Sequence, residues 1–243
     1  MRKAVNIGII FLVLVAIILP PRECLSLGVS DPTFRLESNS FGVGAEFNFN
    51  QRELDNEETV VSPSILGSID YSILNRLGIY IKAGLFQTDT HRGYDSDWGL
   101  GVGLGLRGCI AEFQQGNIRI GLDGQVFRSQ TDYSDQSVSR GEGIEEDITW
   151  TEYQMSAIVS WRAYHPVYLY TGVQFSMIDV EYEISIFNWN THTKTEEDIT
   201  AGEDQMFSLL WGLTYEIADK VHLYGELRAL SELSAAVGFN FTF

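Results

Sequence analysis

From Trp98 to Arg107 the chain alternates without a break. Trp98, Leu100, Val102, Leu104 and Leu106 are large and apolar, while Gly99, Gly101, Gly103, Gly105 and Arg107 between them are small or charged. A period of two is the signature of a strand whose two faces meet different surroundings. The same pattern closes the chain over 233–243 and ends on Phe239, Phe241 and Phe243. A strand with lipid on one side and a polar lumen on the other must switch character at every residue, so the pattern predicts membrane-spanning β structure.

Eight further segments of similar length show it, giving ten in all. Their outward residues include Phe41, Val43, Ala45, Phe47 and Phe49; Val61, Ile65, Ile69, Tyr71 and Ile73; and Leu77, Ile79, Ile81, Ala83 and Leu85. Ile118, Ile120, Leu122 and Val126 follow, then Tyr153, Met155, Ala157, Val159 and Trp161, then Val167, Leu169, Val173, Phe175 and Met177. Phe207, Leu209, Trp211, Leu213 and Tyr215 precede Val221, Leu223, Gly225 and Leu227. Each segment is close to the ~10 residues of a tilted membrane strand. The expected fold is therefore all-β, a ten-stranded antiparallel up-and-down transmembrane β-barrel.

The amino end fits export. Arg2 and Lys3 precede an apolar run over 4–19 that ends at Pro20-Pro21, which reads as a secretory signal peptide over 1–28, cleaved after Ser26 or Gly28. Residues 29–243 then form one barrel domain. An uncleaved anchor is the competing reading, although the run is shorter than the roughly 20 residues of a spanning helix. Cys24 follows Pro21-Arg22-Glu23, a poor context for lipid attachment, and Cys109 reads as a small lumen-facing filler. The leader carries three bases and one acid, so its loss moves the net charge from -17 to -19. Such a polyanion is not a nucleic-acid binder.

Connections alternate in length. Tight turns fall near Asn75-Arg76, Gln114–Gly116, Tyr164–Pro166 and Asp219-Lys220, and long connections fall at 51–58, 88–97, 131–147 and about 179–204, with a short one near Ser231. Short turns belong on the periplasmic side of an outer-membrane barrel and long ones outside, which places both termini in the periplasm. Outward aromatics near strand ends (Phe41, Tyr71, Trp98, Tyr153, Trp161, Tyr215 and Phe243) suit the headgroup level. The long connections carry net charges of -3, -2, -5 and -7 in chain order. They serve as solvated, mutually repulsive loops, or they recognise a basic extracellular partner or divalent cations shared with lipopolysaccharide.

The inferred inner face is charged. Glu46, Asp70, Asp123, Glu152, Glu216 and Glu226 share it with Lys82, Arg107, Arg119, Arg162 and Arg228, almost one base per acid. A soluble ligand-binding barrel would hide its apolar residues there instead. Inner charges either select ions or satisfy one another where water is scarce. Tyr80, Phe86, Phe113, Phe127, Tyr168 and Tyr170 are expected to add inward bulk, and the glycines of 99–105 to leave a narrow water-filled gap. The expected function is a structural or surface-interaction role for a barrel with a largely filled lumen, with a narrow passive channel as the alternative.

The alternation, the loop asymmetry and the terminal Gly238-Phe239-Asn240-Phe241-Thr242-Phe243 resemble the small outer-membrane β-barrel proteins of the opacity-type and OmpA-like group. That resemblance covers 41–243. It implies residence in outer-membrane lipid and lipopolysaccharide, with Phe239, Phe241 and Phe243 as a signal for the barrel-assembly machinery. A second resemblance is to the omptin endopeptidases, a ten-strand family. Asp95-Ser96-Asp97-Trp98 resembles the omptin acidic pair, and His192 lies in the connection where omptins keep a catalytic histidine. Asn190 stands two residues before His192, where a carboxylate would be needed to stabilise the charged imidazole.

Other motifs fail on context. Gly103, Gly105 and Gly108 satisfy a dinucleotide-binding pattern inside an alternating strand with no helix to follow. His91, His165, His192 and His222 lack metal-ligand spacing. No metal or cofactor is expected.

Overall fold

The computed structural model describes residues 39–243 apart from 50, 54–58, 91–93, 96, 138–141 and 231–233, with backbone only at 52–53, 59, 89–90, 94–95, 134–137, 142 and 203–206. The signal-peptide segment and Cys24 lie outside the described residues. The strands are β1 (Phe41–Phe49), β2 (Gln51–Glu53), β3 (Thr59–Val61), β4 (Ser64–Leu74), β5 (Leu77–Phe86), β6 (Asp89–Thr90), β7 (Tyr94–Asp95) and β8 (Gly99–Phe113), followed by β9 (Ile118–Ser137), β10 (Glu142–Tyr164), β11 (Val167–Asn188), β12 (Thr193–Ala218), β13 (Val221–Leu230) and β14 (Ser234–Thr242).

Ten of them close into an antiparallel barrel in the order β1-β14-β13-β12-β11-β10-β9-β8-β5-β4, and β2-β3-β6-β7 make a separate small sheet. The expected architecture and strand number are therefore observed. Closure leaves no unpaired edge, which is what a chain in hydrocarbon requires. The four tight turns fall where the sequence places them, at Asn75-Arg76, Gln114–Gly116, His165-Pro166 and Asp219-Lys220.

The outward face is apolar around the wall: Leu100 is 75% exposed, Met155 63%, Ile69 60% and Phe239 50%. The inward face is polar, with Lys82, Arg228, Glu152 and Gln174 all at 1% or less. This is the reverse of a water-soluble barrel and matches one that stands in lipid.

Four strands run far beyond the membrane. The 22 residues of β11 amount to roughly 73 Å of strand, about twice what a tilted span needs. Within the stretches expected as loops, 131–137 and 142–147 instead continue the β9–β10 hairpin up to Glu142↔Ser137, and 179–188 and 193–202 continue the β11–β12 hairpin up to Asn188↔Thr193, above one register shift between Ser176 and Ile178. The polarity of the wall inverts where it leaves the lipid. On β11, Phe175 and Met177 face out and Gln174 and Ser176 face in; two residues later Asp179 and Glu181 face out while Ile178 and Val180 are 2% and 0% exposed. β10 makes the same change between Tyr153/Glu152 and Thr149/Trp150, and β9 between Val126/Gln125 and Arg128/Phe127.

The inverted segment has its own core. Phe86, Phe127, Ile148, Trp150, Ile178, Val180 and Tyr182 cluster with Leu66 and Ala201, and Val60 of the small sheet joins them at 1% exposure. Phe86 packs on Phe127 and Trp150 with ring centroids 5.6 and 6.2 Å apart. Val60 thus ties β3 of the small sheet to this core.

Aromatic rings also occupy the space expected as a gap. A Cβ on Gly105 would stand 2.1 Å from the Tyr80 ring, and one on Gly101 would stand 2.3 Å from Phe127. Glycine is needed here because the ring of a neighbouring strand lies flat on the backbone. Phe113, expected inside, is 52% exposed at the foot of β8, where a register shift between Cys109 and Ala111 precedes the turn. Cys109 is buried beside Ile158, Tyr170 and Leu210.

Candidate functional site: a cross-linked lumen beneath an acidic wall

The inner charges meet one another rather than an open passage. Lys82 Nζ lies 2.9 Å from Glu46 Oε1, and the other oxygen of Glu46 accepts from the Tyr224 hydroxyl at 2.8 Å. Arg107 pairs with Asp70, and Arg228 pairs with Glu226 on its own strand. Glu226 also accepts from Tyr170 at 3.2 Å. Tyr80 donates to Asp123 at 2.9 Å; Gln125 and Gln154 then lead by amide hydrogen bonds to Glu152. Glu46, Asp70, Lys82, Arg107, Asp123, Glu152, Glu226 and Arg228 are each at most 4% exposed.

The other three residues expected in this network line its lower rim. Arg119, half-buried, donates to the exposed Glu112 at 2.9 Å. Arg162 stacks 5.5 Å from the Tyr168 ring, and the Tyr168 hydroxyl reaches Glu216 at 3.5 Å. The sequence reading missed Glu112 and treated the tyrosines as bulk. Their hydroxyls donate to Asp123 and Glu216 and add a second donor to Glu46 and Glu226, which already hold Lys82 and Arg228; an inward tyrosine one or two strands from an inward acid is the signal that could have revealed it.

Above the lipid, the outward face is a sheet of carboxylates. Asp132 pairs with Asp147, Asp147 with Glu183 and Glu183 with Asp198, so four acids stand abreast on adjacent strands. Like charges placed directly opposite are unfavourable. Burial, then the hydrogen bond and charge of Asp147, raise the Asp132 carboxyl above its ordinary range. Higher up, Lys194 and Glu196 form a contact of 2.7 Å that raises the pKa of the amine and lowers that of the acid. Among the described residues no group of three or more His, Cys, Asp or Glu side chains is arranged to hold a metal ion.

The omptin-like residues are spread out. Asp97 is exposed and its N–H donates to the Asp132 carbonyl at 2.9 Å, which fixes its level on the wall. His192 sits in the exposed turn that follows Asn188. From Glu183, level with Asp132 and Asp147, the paired hairpin climbs five more residues to Asn188, roughly 17 Å of strand at 3.3 Å per residue. His192 and Asp97 are thus carried apart by a continuous ladder. The Asp95 backbone lies in β7, paired with Asp89, and its side chain lies outside the described residues.

No protein-family model and no curated protein sequence matches the chain. Solved structures do. The outer membrane protease OmpT of Escherichia coli superposes with a TM-score of 0.53 at 11% identity, over 84% of this chain and 97% of that one. The translocator domain of the autotransporter NalP of Neisseria meningitidis gives 0.52 at 10% identity, over 88% and 92%. A protease and a translocator domain as neighbours identify an architecture rather than an activity: this chain has the fold of the outer-membrane β-barrels.

Proposed function

We propose that this chain resides in the outer membrane as a sealed anchor, and that its tall β9–β12 wall is a surface for interaction with a basic partner. The observation that carries the reading is the inversion of polarity along β10 and β11. A pore would keep a wetted, polar interior to its mouth, whereas here the polar network is topped by an apolar core containing Trp150, Ile178 and Val180. Closing the mouth with hydrocarbon side chains favours an anchor over a conduit. The carboxylate rows outside favour a cationic partner through electrostatic complementarity.

In this reading the tight turns and both strand termini at Phe41 and Thr242 face the periplasm, and the exported chain is delivered after loss of its leader. Phe239 and Phe243, at 50% and 62% exposure on the lipid face, present the terminal signal to the assembly machinery. Planar-bilayer recording of the full chain tests the anchor. Silence at applied voltage is expected, and reproducible open-pore steps would make the protein a channel.

A further inference from the structure

Phe187 and Trp189 stand at the summit of the β11–β12 hairpin in edge contact, with centroids 4.4 Å apart and planes at 66°. Trp189 is 49% exposed. The turn holds it in place, because the Asn188 side-chain oxygen accepts from the N–H groups of Asn190 at 3.0 Å and Thr191 at 3.1 Å. The indole lies on Gly143, where a Cβ would stand 3.5 Å from Nε1. With Glu145, Ser185 and Lys194, the two rings line an outward cavity of about 170 Å³.

The charge around this cavity selects its occupant. Lys194 is engaged by Glu196 at 2.7 Å and also feels the charge of Glu145, so the cavity rim sets two carboxylates against one amine. One register step below lies the row of Asp147, Glu183 and Asp198. Aromatic faces are electron-rich and attract cations, most strongly at tryptophan. Resting on the surface-interaction reading above, we propose that the cavity takes a lysine or arginine side chain of a polypeptide partner, with its cation over Trp189 and against Glu145.

Two geometric facts sharpen the class. Glu145 lies eight residues beyond Tyr153, roughly 26 Å of strand, so the cavity stands clear of the hydrocarbon, and its acidic floor repels anionic headgroups. The rows repeat every second residue, roughly 6.6 Å, which is also the repeat of side chains on one face of an extended peptide. A partner with basic residues at alternate positions would place one in the cavity and the next on the Asp147–Glu183 row.

The test is calorimetric titration of the full chain in lipid nanodiscs with an extended peptide of alternating basic residues. A peptide of alternating acidic residues and a neutral oligosaccharide serve as competitors. The basic peptide alone is expected to bind; Trp189→Ala should weaken it about tenfold, Trp189→Phe should weaken it less, and Glu145→Gln should weaken it severalfold. Each variant alters an exposed side chain, and unchanged heat-modifiable gel mobility verifies the barrel. Basic-peptide affinity that survives Trp189→Ala and Glu145→Gln would overturn the cavity and leave the acidic wall as the interaction surface. Absence of basic-peptide binding by the wild type would overturn both, as would Trp189-dependent binding of the oligosaccharide in its place.

Discussion

Replacing Lys82 by methionine removes one partner of an ion pair whose side chains are 1% and 2% exposed. Glu46 then keeps the Tyr224 hydroxyl at 2.8 Å and the Asn48 amide at 3.2 Å, but no cation. An uncompensated carboxylate in such a place costs about 3–5 kcal/mol, whereas exchanging both partners for neutral groups of similar size is close to neutral. Lys82→Met alone should therefore lower the unfolding free energy by about 3–5 kcal/mol, and Lys82→Met with Glu46→Gln by about 1 kcal/mol or less. The assay is urea unfolding in phospholipid vesicles, followed by tryptophan fluorescence and heat-modifiable gel mobility. Single costs that simply add in the double variant would refute the reasoning, because additivity is the mark of groups that do not interact. The exposed Lys194–Glu196 contact is the control, and its removal should leave the midpoint in place.

Gly105→Ala should slow assembly and destabilise the folded barrel, since the Tyr80 ring occupies the site of the new Cβ; Tyr80→Ala in the same chain should relieve the clash. Trp150→Ala should cost about 3–5 kcal/mol in the upper core, read as hydrogen exchange that accelerates in 142–151 and 178–187 while the spans below stay protected. The Asp132 carboxyl is raised above its ordinary value of 3.8 by burial and by Asp147, so the folded state binds its proton more readily than the unfolded chain. That contribution to stability is fully present below 3.8 and is lost as pH rises through the raised value. A thermal-shift comparison should find Asp147→Asn stabilising at neutral pH and without this effect in acid.

Much of the membrane portion was legible because one rule governs it. Where the outside is hydrocarbon, outward residues are apolar, and the alternation of 98–107 or 233–243 reports the face directly. The upper halves of β9–β12 obey the opposite rule, because water is outside and the core within. Val180, Tyr182, Ile184 and Ile186 alternate as cleanly with Asp179, Glu181, Glu183 and Ser185 as any span does, but one residue out of phase with Phe175 and Met177. Reading apolar as outward turns that phase slip into a loop. The ion pairs were accessible as a set of inward residues, while their partners depend on barrel register, which brings Glu46 to Lys82 across β4 and Tyr224 to Glu46 across β14. The Phe187–Trp189 cavity had no sequence signal of its own, since its walls come from β10, β11 and β12.

The central claim is that the wall inverts between Met177 and Asp179. Spin labels introduced singly by Met177→Cys, Ile178→Cys, Asp179→Cys and Val180→Cys, in a chain whose own cysteines are replaced by serine, measure it in lipid vesicles by collision with oxygen and with a water-soluble nickel chelate. The account predicts oxygen access at 177, nickel access at 179, and access to neither at 178 and 180. Nickel access at 178 and 180 would mean a wetted lumen at that height, and oxygen without nickel access at 179 would mean lipid there; either result contradicts it.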